Sequence, residues 1–491
     1  MDGPTEPARR GLDIAIIGGG ASGTLTAVQL LRHAASRLLP LRITLIDSCG
    51  RHGLGQAYGT EHRAHLLNAM AGQMSALSDD PDHLIRWAAD AGGDSGDRAA
   101  DELGAVTSTT FLARQDYGRY LRDTLADAEH QALPVAHLRR VTSEVLAIRR
   151  DGASGPLTLM LADGRIEADV AVLATGNAPA RLPLEVPPSE RIIADPWLPG
   201  ALSGVAGPAG PADAGAIVIL GTGLTMLDLA LAITAGNPTA VIHAVSRHAL
   251  LPRSHPGMPA ANRGPLWLPV ITRTTGPVRL ADLMWQVRST IAASPGTWFD
   301  VMDALRPLVP GLWRRMPEQD KQLFLRHVAR YWEVHRHLVP PATASRITAL
   351  RATGRLLVHR GQVMSVTQHG DRLAVLADLG SDVVQFEADW LINGTGSTAD
   401  VAVTASPLLH DLFTTGLARP DPLRLGIDAG IDGAVVNRAG AASDVLFTLG
   451  PPLRGLWYET TAIPEIREQA GALAQRITSH QRLSRYPGSA A

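Results

Sequence analysis

Short apolar runs that end on glycine, each followed by a stretch with helical spacing, recur along this chain. The first, DIAII at 13–17, closes on GGGASG at 18–23 and gives way to TLTAVQLLRHAA, which predicts a buried strand turning into a helix. A second strand, LRITLIDS, ends near Asp47. The following segment, 53–77, has no period but many glycines and amide or hydroxyl side chains, and reads as a long loop. Two helices are predicted next: one from DDPDHLIRWAAD, capped by Asp79 or Asp80 with Leu84, Ile85 and Trp87 facing inward, and one at 115–132. VTSEVLAIRR and PLTLMLADGRIEADVAVLATGNAPA then predict strands, with a hairpin turn at Asp163 and Gly164 and a last strand ending in Ala174, Thr175 and Gly176.

After a Pro, Gly and Ala-rich linker at 179–215, AGAIVILGTGLTMLDLALAIT repeats the strand, glycine and helix order, and AVIHAV adds a strand. Residues 252–345 interrupt this unit with helical patterns. The clearest is QDKQLFLRHVARYWEVHRHL, where Leu323, His327, Tyr331 and His335 are predicted to share one face. Strand pattern returns at RLLVHRGQVMSVTQHGDRLAVLAD, and FEADWLINGTGS ends in a second glycine turn, Gly394, Thr395 and Gly396. The end reads as a strand, a glycine-proline turn and a long amphipathic helix with Thr460, Thr461 and Pro464 at its start.

The glycines carry the first chemistry. Gly18 lets the chain turn, Gly20 lets backbone approach a pyrophosphate, Gly23 allows close helix–strand packing, and Asp47 stands where an acid binds ribose hydroxyls. Strand, glycines, helix, strand and acid in order form the β-α-β dinucleotide fingerprint, against the plainer alternative of a glycine turn with no ligand. In the second unit Gly221 and Gly223 repeat the first two glycines, but Met226 replaces the third, so helix and strand are expected to sit further apart. Its second strand ends in Ser246, Arg247 and His248 with no acid, which suits a 2′-phosphate and predicts NADPH over NADH. Gly53, Gly55 and Gly59 permit close approach to a flat ligand, with Gln56, Asn68, Gln73 and Ser75 as candidates for its polar edge.

Composition removes several alternatives. At 491 residues two or three domains are expected. A net charge of −2 without a long basic run argues against nucleic acid. Cys49 is the single cysteine, which excludes an internal disulfide framework and a CxxC redox centre. No apolar run approaches the roughly 18 residues of a membrane span and the start lacks a signal peptide's apolar region, so a cytoplasmic protein is expected. Lys321 is the one lysine, so anion binding falls to arginine. Trp267, Trp285, Trp298, Trp313 and Trp332 suggest that the insert is a compact helical lid. His335 and His337 point to different helix sides, and no metal site is expected.

The fold class that follows is α/β: a two-dinucleotide-binding-domain flavoprotein with a Rossmann-like FAD domain at 1–195 and 386–491. An NADPH domain at 213–385 is inserted into it and holds the helical insert at about 255–345. Thr175 and Gly396, in the turns closing the two crossing strands, join the cofactor-binding set with Gly450 and Thr460. The amides at the head of the last helix are expected to face a flavin's pyrimidine side.

GGGASG at 18–23, GLGQAYGTEHRAHLLNAMAGQMSAL at 53–77, ILGTGLTMLD at 219–228, VSRHALLPRSHP at 245–256 and LGPPLRGLWYETTAIPEIR at 449–467 carry a resemblance across nearly the whole chain. It resembles the bacterial FAD/NAD(P)-binding proteins of the N-oxygenating flavin monooxygenase type, and within them looks most like the nitrosuccinate-forming aspartate N-monooxygenases of diazo and hydrazine natural-product pathways. A Baeyer–Villiger signature is absent. The resemblance implies FAD on Gly18, Gly20, Gly23 and Asp47, with its ring between the 53–75 loop and the 450–455 turn, and NADPH on Gly221, Gly223, Ser246 and Arg247. It further implies a C4a-hydroperoxyflavin made with molecular oxygen that converts a small acidic amino acid, L-aspartate, through N-hydroxyaspartate to nitrosuccinate. His255, His327 and Asn68 are candidates at the reacting amine. Arg253, Arg263, Arg273, Arg279, Arg288, Arg326 and Arg330, in or beside the insert, are candidates for its carboxylates. An NADPH-dependent flavin oxidoreductase, a non-catalytic flavin sensor and an N-monooxygenase of another amine are the competing readings, and exposed apolar helices of the insert offer a homodimer face.

Overall fold

Apolar side chains on both faces of β1 (Leu12–Ile17) fit the middle of a covered parallel sheet, and the computed structural model places it there. The structure describes residues 11–93, 106–152, 155–205, 216–256, 276–293, 298–397, 400–403 and 405–479. β2 (Leu41–Asp47) and β3 (Ala136–Thr142) follow beside it. β4 (Val145–Arg150), β5 (Leu157–Leu161) and β6 (Gly164–Ala168) form a separate antiparallel meander before β7 (Val170–Leu173) returns to the far side of β1. In the second unit come β8 (Ile192–Ile193), β9 (Ala216–Leu220), β10 (Ile242–Ser246), β11 (Leu356–Arg360), β12 (Gln362–His369), β13 (Arg372–Asp378) and β14 (Val383–Asn393). β15 (Ala434–Val436) and β16 (Ala442–Thr448) then complete the first sheet. Among the described residues the first sheet runs β15-β16-β7-β1-β2-β3. The second runs β11-β10-β9-β14-β13-β12, with β8 beside β14.

The helices Ala21–Arg37, Arg114–Ala132 and Ile463–Thr478 bury their apolar faces on one side of the first sheet. The meander and the helix Pro407–Thr415 cover the other. In the second unit Leu224–Gly236 and Pro341–Ala352 share a core against β9 and β10, and β12 and β13 fold over the opposite face. The insert is helical, and its core includes Tyr458 with Leu423 and Leu425 beside it, so it packs onto the C-terminal part of the first unit. No helix among the described residues is long and apolar enough to cross a membrane.

Two local expectations are corrected. The segment 141–150 is not one strand. Ser143 turns back to donate its backbone N–H to the Asp47 carbonyl at 3.2 Å, sending the chain out of the parallel sheet into the meander. The helix expected from Asp79 or Asp80 starts at His83, because the Asp80 carbonyl accepts from His83 in a preceding turn, and the Asp79 carboxylate pairs with Arg32. In the insert, where Phe324–Val328 form a π-helical turn, the expected shared face is the solvent face: Leu323, His327 and Tyr331 are exposed, Leu323 and Tyr331 by 43% and 51%, while Phe324 and Trp332 pack inward.

Candidate functional site

Both glycine turns are built alike. Gly18 has φ +115°, and a Cβ there would lie 2.2 Å from the Ala174 carbonyl oxygen. Gly221 has φ +101°, and its Cβ would lie 2.6 Å from the Gly394 oxygen. In each unit the first glycine is thus required because the turn ending a neighbouring strand presses backbone against it. Gly23 answers to packing as well, since its Cβ would meet the Gly18 oxygen at 1.9 Å. Gly20 and Gly223 are different. Both have extended backbone at the head of a helix, φ −74° and −81°, and neither position is crowded, so nothing in the protein itself demands their missing side chain.

The 53–58 segment is tied to the first turn. Gly53 donates its N–H to the Gly19 carbonyl at 2.8 Å, and Gly55 lies against Gly20 closely enough that its Cβ would be 2.7 Å from the Gly20 Cα. Asp47 ends β2 with one carboxylate oxygen accepting from the Gly19 amide at 3.1 Å. The other accepts from the amides of Cys49 and Arg51 at 3.0 Å each. These bonds fix the carboxylate at the cavity wall and leave lone pairs for further donors.

A cavity of about 590 Å³ runs along this edge of the sheet. Asp47, Ser48 and Glu144 line it. So do Gly18, Gly20, Ser22, Gln56 and Tyr58. Thr175, Gly176 and Trp197 continue the wall, and Pro451, Thr461 and Ile466 come from the C-terminal segment. Thr225 and Asn393 enter from the second unit, whose strand β14 runs to Asn393 past the boundary expected at 385, with Gly396 just beyond it. An adjoining chamber of about 310 Å³ shares Thr175, Gly176, Ser397 and Pro451 with it and carries Arg454 on its wall. A cavity lined by a strand-end acid, by an uncrowded glycine at a helix head and by residues of both nucleotide units fits a dinucleotide.

The insert is anchored to the segment that supplies Pro451 and Thr461. Trp332 Nε1 donates to Glu459 at 2.9 Å, Arg336 lies 3.4 Å from the same carboxylate, and Trp313 Nε1 donates to the Gly455 carbonyl at 2.8 Å. Arg306 pairs with Glu465 at 2.9 Å and Arg454 with Glu333 at 3.2 Å. Tyr458 is held at φ +59° between Trp313 and Phe324, where burial pushes its phenol up to about 12.

Of the residues singled out in the sequence, Gly18, Gly20, Asp47, Gln56, Thr175 and Gly396 line the main cavity. Asn68, Gln73 and Ser75 do not. Gln73 is exposed, and Ser75 is buried with its hydroxyl bonded to the carbonyls of Leu77 and Asp80. Thr460 braces the Gly450 carbonyl at 3.0 Å, while its neighbour Thr461 faces the cavity. Ser246 bonds the Thr222 hydroxyl at 2.8 Å, steadying the second turn, and Arg247 is exposed beyond β10. His255 is wedged between Phe111 and Phe299, its imidazole held below its usual pKa by burial, and His327 is exposed on the π turn; neither lines the cavity.

The arginines distribute differently from expectation. Arg279 pairs with Asp320 at 2.8 Å and Arg330 with Glu333 at 2.8 Å, Arg253 sits 5.3 Å above the Trp298 ring, and Arg288 and Arg326 are exposed. Arg263, Arg273 and Trp267 lie outside the described residues. Among the described residues the arginines lining the two chambers are Arg114 and Arg454, which sequence reasoning missed as candidates. Arg114 stands in no motif, and Arg454 lies within the 449–467 stretch without having been singled out there.

Residues 15–178 match a protein-family model described as FAD-NAD(P)-binding, and the first unit is such a domain. Over 195 residues the chain is 30% identical to an L-aspartate N-monooxygenase (nitrosuccinate-forming) from Streptomyces davaonensis, covering 34% of this chain and 30% of that protein. The match thus spans less than a third of the relative's length. Among solved structures, an ornithine N-hydroxylase from Kutzneria sp. 744 superimposes with a TM-score of 0.59 at 15% identity, over 97% of this chain and 100% of that one. L-lysine 6-monooxygenase from Pseudomonas syringae gives 0.60 at 16% identity, over 96% and 99%. At these identities the likeness establishes the fold: two nucleotide domains arranged as in the N-hydroxylating flavin monooxygenases.

Proposed function

We propose that this chain is an FAD- and NADPH-dependent monooxygenase that oxygenates the nitrogen of a small amino acid, L-aspartate, through N-hydroxyaspartate to nitrosuccinate. The observation that carries the reading is the shared cavity, in which the first glycine turn and Asp47 meet Thr225 and Asn393 of the second nucleotide unit. The partial identity to an aspartate N-monooxygenase supports the substrate, and the shared fold supports the reaction class. Bound FAD would supply hydride acceptance from NADPH and activation of oxygen.

The chain's own residues bind, orient and exclude water. The amides around Gly20 and the head of the Ala21–Arg37 helix hold the pyrophosphate, and Asp47 takes the ribose hydroxyls. In the second unit Gly223 offers its open backbone to the NADPH pyrophosphate, and exposed Arg247 takes the 2′-phosphate. A substrate carboxylate calls for a guanidinium. Arg454 on the adjoining chamber meets that need, while Arg253, Arg279, Arg288 and Arg330 lie outside both linings. The insert covers the 450–461 segment and keeps water from the reacting amine, which must be neutral to act as nucleophile. Each oxygenation consumes one NADPH, one proton and one O2 and releases one water. The amine needs one to reach N-hydroxyaspartate and two more to reach the nitro group, with a further water lost at the N,N-dihydroxy stage, so nitrosuccinate takes three NADPH and three O2 and leaves four waters.

The test is NADPH oxidation with and without L-aspartate, scoring hydrogen peroxide and nitrogen-oxidised product together. Faster oxidation with nitrosuccinate formed and peroxide suppressed supports the reading. Stimulation by ornithine, lysine or cadaverine instead moves the substrate to another amine. Peroxide alone with every amine leaves an NADPH-dependent flavin oxidoreductase.

A further inference from the structure

The two nucleotide units are joined by a buried ion pair that touches the main cavity. Arg114 opens the Arg114–Ala132 helix of the first unit and lines the cavity. Its Nη2 lies 2.8 Å from Asp228 Oδ2, with only 14% and 10% of the two side chains exposed. Asp228 belongs to the Leu224–Gly236 helix, which begins directly after Gly223 in the second nucleotide turn. Arg114 is itself fixed, since its Nε donates to the Leu66 carbonyl at 3.1 Å and its backbone N–H to the His65 carbonyl at 2.8 Å.

His65 grips the same residue from the backbone side. Its Nε2 faces the Asp228 carbonyl at 3.0 Å and its Nδ1 the Thr60 hydroxyl at 2.7 Å. A carbonyl only accepts, so Nε2 carries the proton and Nδ1 accepts from the threonine. Burial holds this imidazole below its usual pKa and so favours the neutral ring that this arrangement needs. Trp197, another cavity-lining residue, covers it edge-on at 5.9 Å.

We propose that Arg114 and Asp228 are positioning residues that couple the two nucleotide sites. A dinucleotide filling the first cavity restrains the Arg114 guanidinium, and through it the helix whose N-terminal turn presents Gly223 to the second dinucleotide. A short helix moves as a rigid body, so displacement at Asp228 is displacement at the glycine turn. Sliding one unit past the other would leave two buried charges unpaired, which is strongly disfavoured in a low-dielectric interior. Coupling of this kind is reciprocal: the second dinucleotide tightens the first as much as the first tightens the second.

The inference rests on FAD occupying the first cavity and not on oxygenation, and its test reads hydrogen exchange. Full-length cofactor-free protein is compared with and without FAD, following peptides from 18–37 and 224–236. In the wild-type protein FAD slows exchange in both, the second by about fivefold or more. In Asp228→Asn the 18–37 protection persists and the 224–236 protection disappears. NADP+ affinity then no longer differs between FAD-free and FAD-loaded protein. Should Asp228→Asn fail to fold, the paired replacement Arg114→Met with Asp228→Leu removes both charges together and is read the same way. Protection of 224–236 by FAD that survives in either variant overturns the coupling. So does protection of 18–37 alone in the wild-type protein. Absence of FAD protection anywhere in the wild-type protein instead overturns the FAD reading of the cavity.

Discussion

Replacing Gly223 by alanine separates what the fold needs from what a ligand needs. Gly223 has φ −81° and ψ −164°, ordinary extended backbone, and a Cβ built there meets no atom within 4 Å. The methyl group costs the ligand-free protein roughly 0.5–1 kcal/mol, the gap between alanine and glycine at an N-cap, a small shift for a chain of this size. The same change at Gly221 is severe, because φ is +101° and the Cβ would sit 2.6 Å from the Gly394 carbonyl oxygen. Strain of about 1–3 kcal/mol and overpacking of similar size together consume a large part of a stability of roughly 5–15 kcal/mol. If a pyrophosphate oxygen approaches the Gly223 backbone, the methyl group stands in its path, and a tenfold loss of affinity, about 1.4 kcal/mol, is the minimum expected. Calorimetric titration of NADP+ into FAD-loaded protein checks this, with thermal unfolding and flavin content measured on the same samples. Gly223→Ala should keep its flavin and melt only slightly earlier while NADP+ binding weakens at least tenfold; Gly221→Ala should unfold early. Unchanged NADP+ affinity in Gly223→Ala would refute the assignment of this turn to the second nucleotide, and early unfolding of Gly223→Ala would refute the claim that the space is open.

Three further outcomes follow from the geometry. Gly55→Ala places a Cβ 2.7 Å from the Gly20 Cα at a residue with φ +55°, so it should push the 54–58 segment off the first turn and lower FAD retention at least tenfold, as equilibrium dialysis would show. Glu459→Gln removes the carboxylate that balances buried Arg336 and receives Trp332 Nε1; the insert should loosen, with more peroxide released per NADPH and faster limited proteolysis of residues 276–336. His65, His243 and His359 are all held below the usual 6.5 by burial, so the unfolded chain takes up protons that the folded one refuses. Their contribution to stability is complete above pH 6.5 and is lost as pH falls through the lowered folded values. The urea midpoint should fall between pH 7.5 and 5.5, and less so in His359→Gln; an unchanged slope in that variant counts against the stacked His243–His359 pair as a source.

What the sequence made legible is what is local. A strand running into glycines and then a helix is written in adjacent residues, so both nucleotide turns, and the paired turns at Ala174 and Gly394 that press on them, are visible from pattern alone. The arginines were not, because a guanidinium in a sequence does not announce its partner. Arg279 and Arg330 are neutralised by Asp320 and Glu333, whereas Arg114 reaches the cavity by closing on an aspartate of the other domain. The helix face in the insert was legible as a face but not as the solvent side: Leu323, His327 and Tyr331 stand exposed together, while Phe324 and Trp332 take the packing side. Ser75 shows the limit in the loop: a hydroxyl near a predicted ligand is as easily used by its own turn.

The 450–461 segment ties the insert to the cavity wall. Gln469, one turn and more into the last helix, accepts from the Gly450 amide at 2.7 Å and donates to the Thr460 hydroxyl at 2.8 Å, which in turn donates to the Gly450 carbonyl. The two ends of the segment are therefore clasped together by one side chain. Between them Gly455, Tyr458 and Glu459 take the anchors of the insert, and beside the clasp Pro451 and Thr461 form part of the cavity wall. Tyr458 holds a positive φ, a conformation that a non-glycine residue keeps only where surrounding contacts over-determine it. An insert that lifted away would have to break those anchors or drag the clasped segment with it, and either course moves the wall against which the flavin would rest. If the flavin ring rests on this wall as proposed, a substitution that opens the insert should disturb flavin fluorescence as well as peroxide release.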